Sequence, residues 1–281
     1  MCLTHLWKRV KLARNWSRIL KETAADTYLA VGPLLGTEIS RKVVGIGTGG
    51  DTTKQIDLIA ERAIIRYLER NKVSCTVVGE ECGTVRIGEE PEAYVVVDSI
   101  DGTTNAVRGI SFASTSIAVS PKDRLNDVEH AIVMRLDNGK AYTAEKGRGA
   151  EYDGGRICPS EVKSIRDAVI SIDISRSPEN IDRILPLMKS ASHIRCLGSA
   201  ALEICQVGSG QLDAYVDVRG KLRTTDIAAA MLVLKEAGGV ILKPDGKELD
   251  DVPVTVVNRF SLVAASNIKM FRTILQKLEG E

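Results

Sequence analysis

Aromatic residues, net charge and long apolar runs are all scarce in this sequence. Aromatic residues make up 4% of the 281-residue chain, and the formal net charge is +1. A chain so close to neutral has no overall field that would attract nucleic acid or an anionic membrane surface. No apolar run reaches the roughly 20 residues that a membrane-spanning helix needs. We therefore expect neither a nucleic acid nor a membrane as a partner.

The cysteines form no recognisable metal or redox motif. None belongs to a C-x-x-C pair, and their spacing matches no zinc site. An even number is compatible with disulfides in a secreted protein, but a chain of this size without a signal peptide favours buried free thiols in a reducing cytosol. The expected location is therefore cytoplasmic. The six residues are Cys2, Cys75, Cys82, Cys158, Cys196 and Cys205.

Strand-like and helix-like segments alternate irregularly along the chain, which contains 44% hydrophobic and 27% charged residues. This composition is ordinary for a globular protein and supplies enough apolar surface for a substantial core. The pattern predicts a mixed α/β (α+β) fold without internal repeats. Polar residues interrupt the apolar alternation near 160–167. We therefore predict an N-terminal α+β domain over 1–165 and a C-terminal α/β domain over 166–281 that completes the active site.

A basic amphipathic helix is predicted at the start of the chain. Residues 1–21 contain six lysines and arginines before the first acid, Glu22. Such a helix is compatible with a transit peptide or a membrane-surface segment. We favour a first helix that packs Trp7 and Trp16 inward, because the pattern continues without a break typical of a cleavage site. Gly32-Pro33 should end this helix.

The segment 94–105, Y-V-V-V-D-S-I-D-G-T-T-N, carries the strongest functional pattern. Its β-branched residues predict a buried strand that presents Asp98 and Asp101 together at its C-terminal end. Two carboxylates with the Ile100 carbonyl between them suit a hard cation such as Mg²⁺. Gly102 lets the backbone approach a ligand closely, and a helix starting after it would offer N–H groups to an anion. The pattern indicates a metal-dependent phosphate site, although ordinary turns have a similar composition.

Further acids occupy positions from which they could serve the same site. Glu80 and Glu81 follow a short predicted strand, and Asp57 lies near the start of a predicted helix. Asp226 follows Thr225, which is a plausible N-cap for another helix. Each has a purely structural alternative, as a surface turn residue or as an acid that complements the helix dipole.

Two glycine-containing segments resemble ligand-binding loops. Residues 45–50 contain four glycines in six positions. They lack the lysine placement of a P-loop, and no convincing strand precedes them as a dinucleotide fingerprint requires. In the second half, Gly198 and Ser199 open a predicted helix after a strand over 193–197. This helix start is a second possible anion site.

Taken together, these motifs resemble the inositol monophosphatase family, part of the larger lithium-sensitive, Mg²⁺-dependent phosphatase superfamily. The chain is most similar to the archaeal members that hydrolyse both fructose 1,6-bisphosphate and inositol 1-phosphate. The resemblance covers nearly the whole chain and implies a layered α-β-α-β-α sandwich of the sugar-phosphatase type, and a homodimer. Five motifs in the family's order and spacing carry it: T-T-K-Q-I-D (52–57), G-E-E (79–81), D-S-I-D-G-T-T-N (98–105), G-S-A-A-L-E (198–203) and T-D-I-A-A-A (225–230).

The resemblance implies a role for each matched position. Two or three Mg²⁺ ions, with Mn²⁺ as an alternative, would be held by Glu80, Asp98, Asp101, Asp226 and the Ile100 carbonyl. The attacking water would be positioned and activated by Asp57 and Thr103. The substrate, a small sugar or inositol phosphate, would contact Asp101, Gly102, Thr103, Arg195, Gly198, Ser199 and Arg219.

The sequence departs from the family at two positions without losing a metal ligand. Ser99 stands where many members have proline, and Thr225 stands where many have tryptophan. In animal inositol monophosphatases an acid that binds inositol hydroxyls aligns near Arg219. An arginine presents a fork of donors that suits a second phosphate better than a hydroxyl group. This difference favours a bisphosphate substrate.

Two other functions are compatible with the resemblance to this superfamily. A 3′-phosphoadenosine 5′-phosphate phosphatase is disfavoured because the chain has few aromatic residues with which to stack an adenine. A non-catalytic regulatory member would be expected to lose metal ligands, whereas all four acids are present here. A purely structural role would not explain why Glu80, Asp98, Asp101 and Asp226 match the order and spacing of the family's motifs.

Overall fold

The computed structural model describes residues 14–47, 52–256 and 258–279. Within these residues the helices are α1 (Trp16–Val31), α2 (Glu38–Arg41), α3 (Gln55–Arg70), α4 (Thr103–Arg108), α5 (Ile181–Ser190), α6 (Ala200–Gly208), α7 (Thr224–Ala237) and α8 (Ile268–Glu279). None of them is both long enough and apolar enough to cross a membrane.

The strands of the described residues form one small and two large sheets. Their bounds are β1 (Val43–Ile46), β2 (Thr52–Lys54), β3 (Cys75–Gly79), β4 (Gly83–Ile87), β5 (Tyr94–Asp101), β6 (Ser114–Ser120), β7 (His130–Arg135), β8 (Ala141–Glu145), β9 (Gly149–Tyr152), β10 (Gly155–Arg156), β11 (Val169–Asp173), β12 (His193–Arg195), β13 (Ala214–Leu222), β14 (Val240–Leu242) and β15 (Phe260–Ala265).

The first large sheet has eight strands in the order β10-β9-β8-β7-β6-β5-β3-β4. β3 and β5 run parallel, and the remaining neighbours are antiparallel. The second sheet has five strands in the order β12-β11-β13-β15-β14, with β11 parallel to both β12 and β13. Each sheet therefore has a parallel pair whose carboxyl ends point the same way, which is where ligands bind in open α/β sheets.

Helices cover both faces of both sheets. α1 and α3 share a hydrophobic cluster with the outer face of the first sheet. α6 and α7 lie between the sheets, in a cluster that contains Val96 of β5 and Tyr215 of β13. α5 and α8 pack against the outer face of the second sheet. The five layers α-β-α-β-α confirm the predicted mixed α/β sandwich.

The chain passes from the first sheet to the second between β10 and β11, across residues 157–168. This crossing coincides with the predicted boundary near 160–167. A single hydrophobic cluster nevertheless contains residues of both sheets and of the two helices between them. The division into two domains stays a prediction, and the two halves share a continuous core.

The N-terminal prediction is confirmed only in part, because Trp7 lies outside the described residues. α1 starts at Trp16, where the Asn15 side chain accepts a hydrogen bond from the Arg18 N–H at 3.0 Å. Trp16 packs against the cluster under the first sheet. The helix ends at Val31, and Gly32-Pro33 begins a 3₁₀ turn, as predicted.

Two local predictions are wrong. An exposed strand, β1, does run into the glycine-rich segment, but among the described strands it pairs only with β2, in antiparallel orientation. It therefore lacks the buried parallel setting of a dinucleotide-binding strand. The N-cap of α7 is Arg223 and not Thr225, because the helix already includes Thr224. The carboxylate of Asp226, at the third position of the helix, accepts the Arg223 N–H at 2.9 Å, which is the reciprocal half of a capping box.

Candidate active site

A pocket of about 460 Å³ lies where the parallel pairs of both sheets end. Glu80 follows β3, and Asp98 and Asp101 end β5, so the first sheet supplies one wall. Asp173 ends β11 and Arg219 lies near the end of β13, so the second sheet supplies the opposite wall. The starts of α3, α4, α6 and α7 also face this pocket. The fold thus brings together segments that are far apart in the sequence.

The end of β5 departs from regular pairing at the predicted metal-binding turn. The register with β6 shifts between Asp98 and Asp101, so both carboxylates of this turn line the pocket. The Ile100 N–H donates to Asp98 Oδ1 at 3.1 Å and fixes that side chain. Gly102 follows in the left-handed region with φ of 87°, and a Cβ there would lie 2.9 Å from the Gly198 carbonyl oxygen. The turn therefore requires glycine at this position.

Glu80, Asp98 and Asp226 form the tightest acidic cluster in the described residues. One carboxylate oxygen from each lies within 4.8 Å of the others. Carboxylate oxygens so arranged are the donors that Mg²⁺ prefers, so the cluster fits the predicted metal. We call Glu80, Asp98, Asp101 and Asp226 the carboxylate side of the pocket.

Asp101 lies beside the cluster and is held by hydrogen bonds from another part of the chain. Its Oδ2 accepts the Ser199 hydroxyl at 2.6 Å and the Ala201 N–H at 2.7 Å. Asp101 also lines the pocket. The four predicted carboxylate ligands are therefore gathered in one pocket.

Burial and nearby negative charge raise the pKa values of Glu80, Asp98 and Asp101. Burial, with the charge of Asp226, raises the pKa of Glu80 to about 8, although the nearby Arg223 opposes the change. Burial raises the pKa of Asp101 to about 7. Burial and the charges of Glu80 and Asp101 raise the pKa of Asp98. Ionising all of them near neutral pH requires additional positive charge, which a divalent cation supplies.

Arg223 is a functional residue of this side that the sequence analysis missed. Its Nη1 lies 2.6 Å from Glu80 Oε1 and its Nε lies 3.3 Å from Asp226 Oδ1. Burial alone would lower the pKa of Arg223, but Asp226, Glu80 and Asp98 raise it above its ordinary value. In the sequence, only its position three residues before Asp226, at the start of a helix, could have indicated that Arg223 lies at this site.

Asp57 and Thr103 meet as the resemblance implies. Thr103 Oγ1 lies 3.1 Å from Asp57 Oδ1 and 3.0 Å from the Ile100 carbonyl oxygen. The other oxygen of Asp57 accepts the Lys54 N–H at 2.8 Å at the start of α3. Burial raises the pKa of Asp57 to about 6, against the effect of these hydrogen bonds. A carboxyl with such a value is suited to accept a proton near neutral pH.

A second buried acid on α3, Glu61, was also missed. It is 3% exposed and accepts the Glu81 N–H at 3.3 Å, so it holds the turn that carries Glu80. A Cβ on Gly79 would lie 2.2 Å from Glu61 Oε1, which explains the glycine there. Glu61 lies four residues after Asp57 and therefore on the same face of the helix. That spacing could have indicated that its side chain points to the same side of the helix as Asp57.

The opposite wall consists of Asp173, Arg176 and Arg219, and together with Asp217, which is buried beside Arg219, we call it the arginine side. Arg219 Nη2 lies 2.7 Å from Asp173 Oδ2 and 2.5 Å from Asp217 Oδ2. Burial on its own lowers the pKa of Arg219, but these acids raise it above the ordinary value. Arg176 lines the pocket from an exposed, left-handed turn with φ of 57°. The sequence analysis missed Arg176 and Asp173.

The start of α6 was predicted to bind an external anion through its backbone N–H groups, and this prediction is wrong for the three N–H groups that precede the helix. The N–H groups of Leu197, Gly198 and Ser199 donate to the carboxylate of Glu203 at 3.1–3.3 Å. The protein's own acids therefore occupy the amides that were expected to bind an external anion. Ser199 is fully buried and lies behind Asp101, whereas Gly198 lines the pocket.

Arg195 is the predicted site residue that the structure leaves apart from the others. Its side chain is exposed and its Nη1 donates to the Ile194 carbonyl at 2.9 Å. It is absent from the residues that line the pocket in the described part of the chain. Its contact with substrate stays a prediction.

A model of the inositol monophosphatase family matches residues 16–280. The chain belongs to the inositol monophosphatase family. Family membership makes it a phosphatase. It is 36% identical to the fructose-1,6-bisphosphatase/inositol-1-monophosphatase of Methanothermobacter thermautotrophicus, over 94% of this chain and 96% of that protein.

Two further similarities describe the range of relatives. A solved inositol monophosphatase–fructose 1,6-bisphosphatase superposes with a TM-score of 0.83 at 30% identity, over 94% of this chain and all of that one. The bifunctional NADP phosphatase/NAD kinase of Methanococcus maripaludis is 34% identical over 87% of this chain, which spans 46% of that relative. The fold is thus shared with a solved structure named as a phosphatase.

Proposed function

We propose that the protein is a Mg²⁺-dependent phosphomonoester hydrolase that acts on fructose 1,6-bisphosphate and inositol 1-phosphate. The observation that carries this proposal is the cluster of Glu80, Asp98 and Asp226, with its oxygens within 4.8 Å, beside the Asp57–Thr103 pair. Relatives named for both activities are similar over nearly the whole chain.

The carboxylate side would hold two or three Mg²⁺ ions, or Mn²⁺, through Glu80, Asp98, Asp101, Asp226 and the Ile100 carbonyl. Bound ions of this kind neutralise charge on a phosphoryl group and make a water molecule more acidic. The donor set consists of oxygens only, which fits these metals and disfavours zinc.

Asp57 and Thr103 orient the attacking water and take up its proton. The Asp57 carboxylate is fixed on one side by the Lys54 N–H, so its other oxygen is directed at the Thr103 hydroxyl. The backbone N–H groups of Gly102 and Thr103 lie at the start of α4, facing the pocket, and suit the phosphoryl oxygens. No side chain here needs to form a covalent phosphoenzyme.

The arginine side would bind the rest of the substrate. Arg219 is already neutralised by two acids, so its main contribution is to hold Asp173 in place at the pocket wall. Asp173 suits substrate hydroxyl groups, and the exposed guanidinium of Arg176 suits a second phosphate. This division accommodates both substrates in one pocket. Arg195 and Gly198 would lie near its rim, and Ser199 would act through Asp101.

Phosphate release tests the proposal. Purified protein is assayed with fructose 1,6-bisphosphate, inositol 1-phosphate, NADP and 3′-phosphoadenosine 5′-phosphate, each with Mg²⁺ and with EDTA. Turnover of the first two that EDTA abolishes is the expected result. Preference for NADP would shift the assignment toward the activity in the name of the Methanococcus maripaludis relative. Absence of turnover in a folded, Mg²⁺-binding protein would favour a regulatory role.

We also propose a cytoplasmic homodimer. The described cysteines are all free thiols, as expected in a reducing compartment. A second copy of the chain would cover exposed apolar side chains such as Leu29 and Ile46, which are 70% and 77% exposed. Sedimentation equilibrium would check the dimer, and a monomer at micromolar concentration would contradict it.

A further inference from the structure

Glu203 is a buried acid on α6 that the proposed chemistry does not use. It is 1% exposed, and burial raises its pKa to about 7. A carboxylate at such a depth is costly unless hydrogen bonds compensate for lost water. Its compensation comes from backbone N–H groups and one hydroxyl, and the described residues include no salt bridge to it.

The partners of Glu203 come from two places. Oε1 accepts the Leu197 N–H at 3.3 Å and the Ser171 hydroxyl, and Ser171 belongs to β11 of the second sheet. Oε2 accepts the Gly198 N–H at 3.2 Å and the Ser199 N–H at 3.1 Å. The acid thus fixes three consecutive residues before α6 and ties them to the second sheet.

The same segment holds Asp101 of the first sheet. The Ser199 hydroxyl and the Ala201 N–H both donate to Asp101 Oδ2. The Leu197 carbonyl accepts a hydrogen bond from Asn105 Nδ2 at 2.7 Å, on the helix that follows Asp101. A continuous set of hydrogen bonds therefore runs from Ser171 through Glu203 to Asp101.

We propose that Glu203 is a positioning residue for Asp101, and that it sets the affinity of the site for divalent cations. By holding Leu197, Gly198 and Ser199, it aims two donors at Asp101 Oδ2 and leaves the other oxygen for a metal. Partners that orient metal ligands in this way typically change metal affinity or activity about 10–100-fold when they are removed. The inference rests on the proposed role of Asp101 as a ligand.

The test is titration calorimetry with Mg²⁺ on full-length wild type and Glu203→Gln, with kcat and KM measured in parallel. Glutamine keeps the size of the side chain, but its NH₂ group would face an N–H donor and cannot accept from it. We expect Mg²⁺ binding about tenfold weaker and a similar fall in kcat, with a smaller change in KM. Affinity and kcat within about twofold of wild type would overturn the proposal.

Asp213→Asn is the matched control. Asp213 is 4% exposed and also accepts a serine hydroxyl, from Ser160, and a backbone N–H, from Val169 at 2.7 Å. It lies just before β13, at the opposite end of that strand from Arg219. We expect a lower melting temperature with unchanged Mg²⁺ affinity. An equal loss of Mg²⁺ affinity in Glu203→Gln and Asp213→Asn would contradict the proposal, because the loss would then come from general destabilisation of the fold.

Three further variants keep the proposal falsifiable. Ser199→Ala should weaken Mg²⁺ binding less than Glu203→Gln, and the double variant should match Glu203→Gln, because both act through one set of bonds. Fully additive losses would contradict this coupling. Should Glu203→Gln fail to fold, Ser171→Ala removes one donor to Glu203, and an unchanged Mg²⁺ affinity in it would overturn the proposal. Lack of Mg²⁺ binding by wild type would refute the proposed function as well.

Discussion

On the carboxylate side of the pocket, Glu80, Asp98 and Asp226 face one guanidinium, that of Arg223, whereas on the arginine side two acids already neutralise Arg219. The carboxylate side has four acids and one arginine, whereas the arginine side has two acids and two arginines. One side therefore has an excess of buried negative charge, and the other is internally balanced.

This difference assigns the two sides different work. A buried excess of negative charge is unfavourable unless cations bind or the acids take up protons, so at neutral pH we expect the carboxylate side to bind metal. The balanced side needs no added ion and keeps a fixed shape, which suits recognition of the remainder of a substrate. We therefore propose that the carboxylate side supplies the chemistry and that the arginine side supplies the specificity.

The largest expected effect comes from removing charge on the carboxylate side. Asp101→Asn should lower kcat roughly 1,000-fold, because a lost metal contact is worth several kcal/mol of transition-state stabilisation. Phosphate release at saturating substrate measures this. Asp213→Asn, which alters a buried aspartate with a similar set of donors, should retain activity. Near-normal turnover by folded Asp101→Asn would contradict the proposal that the carboxylate side and the arginine side have different roles.

A smaller loss is expected when the water-positioning pair is broken. Thr103→Ala removes the hydroxyl beside Asp57 and should lower kcat about 100-fold with little change in Mg²⁺ affinity. Thr273→Ala, which removes a hydroxyl that bonds the Lys269 carbonyl on α8, is the control. If Thr103→Ala instead weakened Mg²⁺ binding but left kcat at saturating Mg²⁺ unchanged, Thr103 would support the metal ligands and would not position the water.

The carboxylate side was largely predictable from the sequence because its residues lie in contiguous motifs. Asp98, Ile100 and Asp101 end one strand, and a strand end carries its side chains to a predictable edge. Arg223 and Glu61 were missed for a physical reason. Their roles come from tertiary pairing with Glu80 and Glu81, and local patterns at positions 223 and 61 resemble ordinary helix residues.

The pH dependence of stability should reveal the excess charge directly. Asp57, Asp101 and Glu80 have folded pKa values raised to about 6, 7 and 8, above unfolded values near 4. The metal-free folded state then binds more protons than the unfolded state between about pH 4 and 8, so stability falls as pH rises. Each pKa unit corresponds to about 1.4 kcal/mol.

Urea unfolding at several pH values, in EDTA and in Mg²⁺, measures this dependence. In EDTA the free energy of unfolding should decrease from pH 5 to pH 8, and Mg²⁺ should stabilise the protein increasingly over that range. Asp98→Asn should flatten the slope. A pH-independent free energy of unfolding in EDTA would show that the cluster carries no excess charge.

The smallest effect is expected on the arginine side. Arg176→Gln should raise KM for fructose 1,6-bisphosphate about tenfold, or about 1.4 kcal/mol, and leave inositol 1-phosphate unaffected. Arg183→Gln, at an exposed position on α5, serves as the control. Equal changes for both substrates would mean that Arg176 does not recognise a second phosphate.

The arginine side was harder to predict. Arg219 was correctly placed at the pocket, but its two acidic partners come from β11 and from its own strand, and that pairing depends on parallel strands brought together by folding. The start of α6 shows the same difficulty. Its sequence is typical of an anion site, yet Glu203 lies one turn further along and binds the amides itself.

The most direct test of the central claim is a crystal structure of the protein soaked in Mn²⁺, with anomalous density to locate the ions. We expect an ion among Glu80, Asp98 and Asp226, a further ion beside Asp101, and none on the arginine side. Anomalous density absent from the acidic cluster, with Arg223 still paired to Glu80 at saturating Mn²⁺, would contradict it.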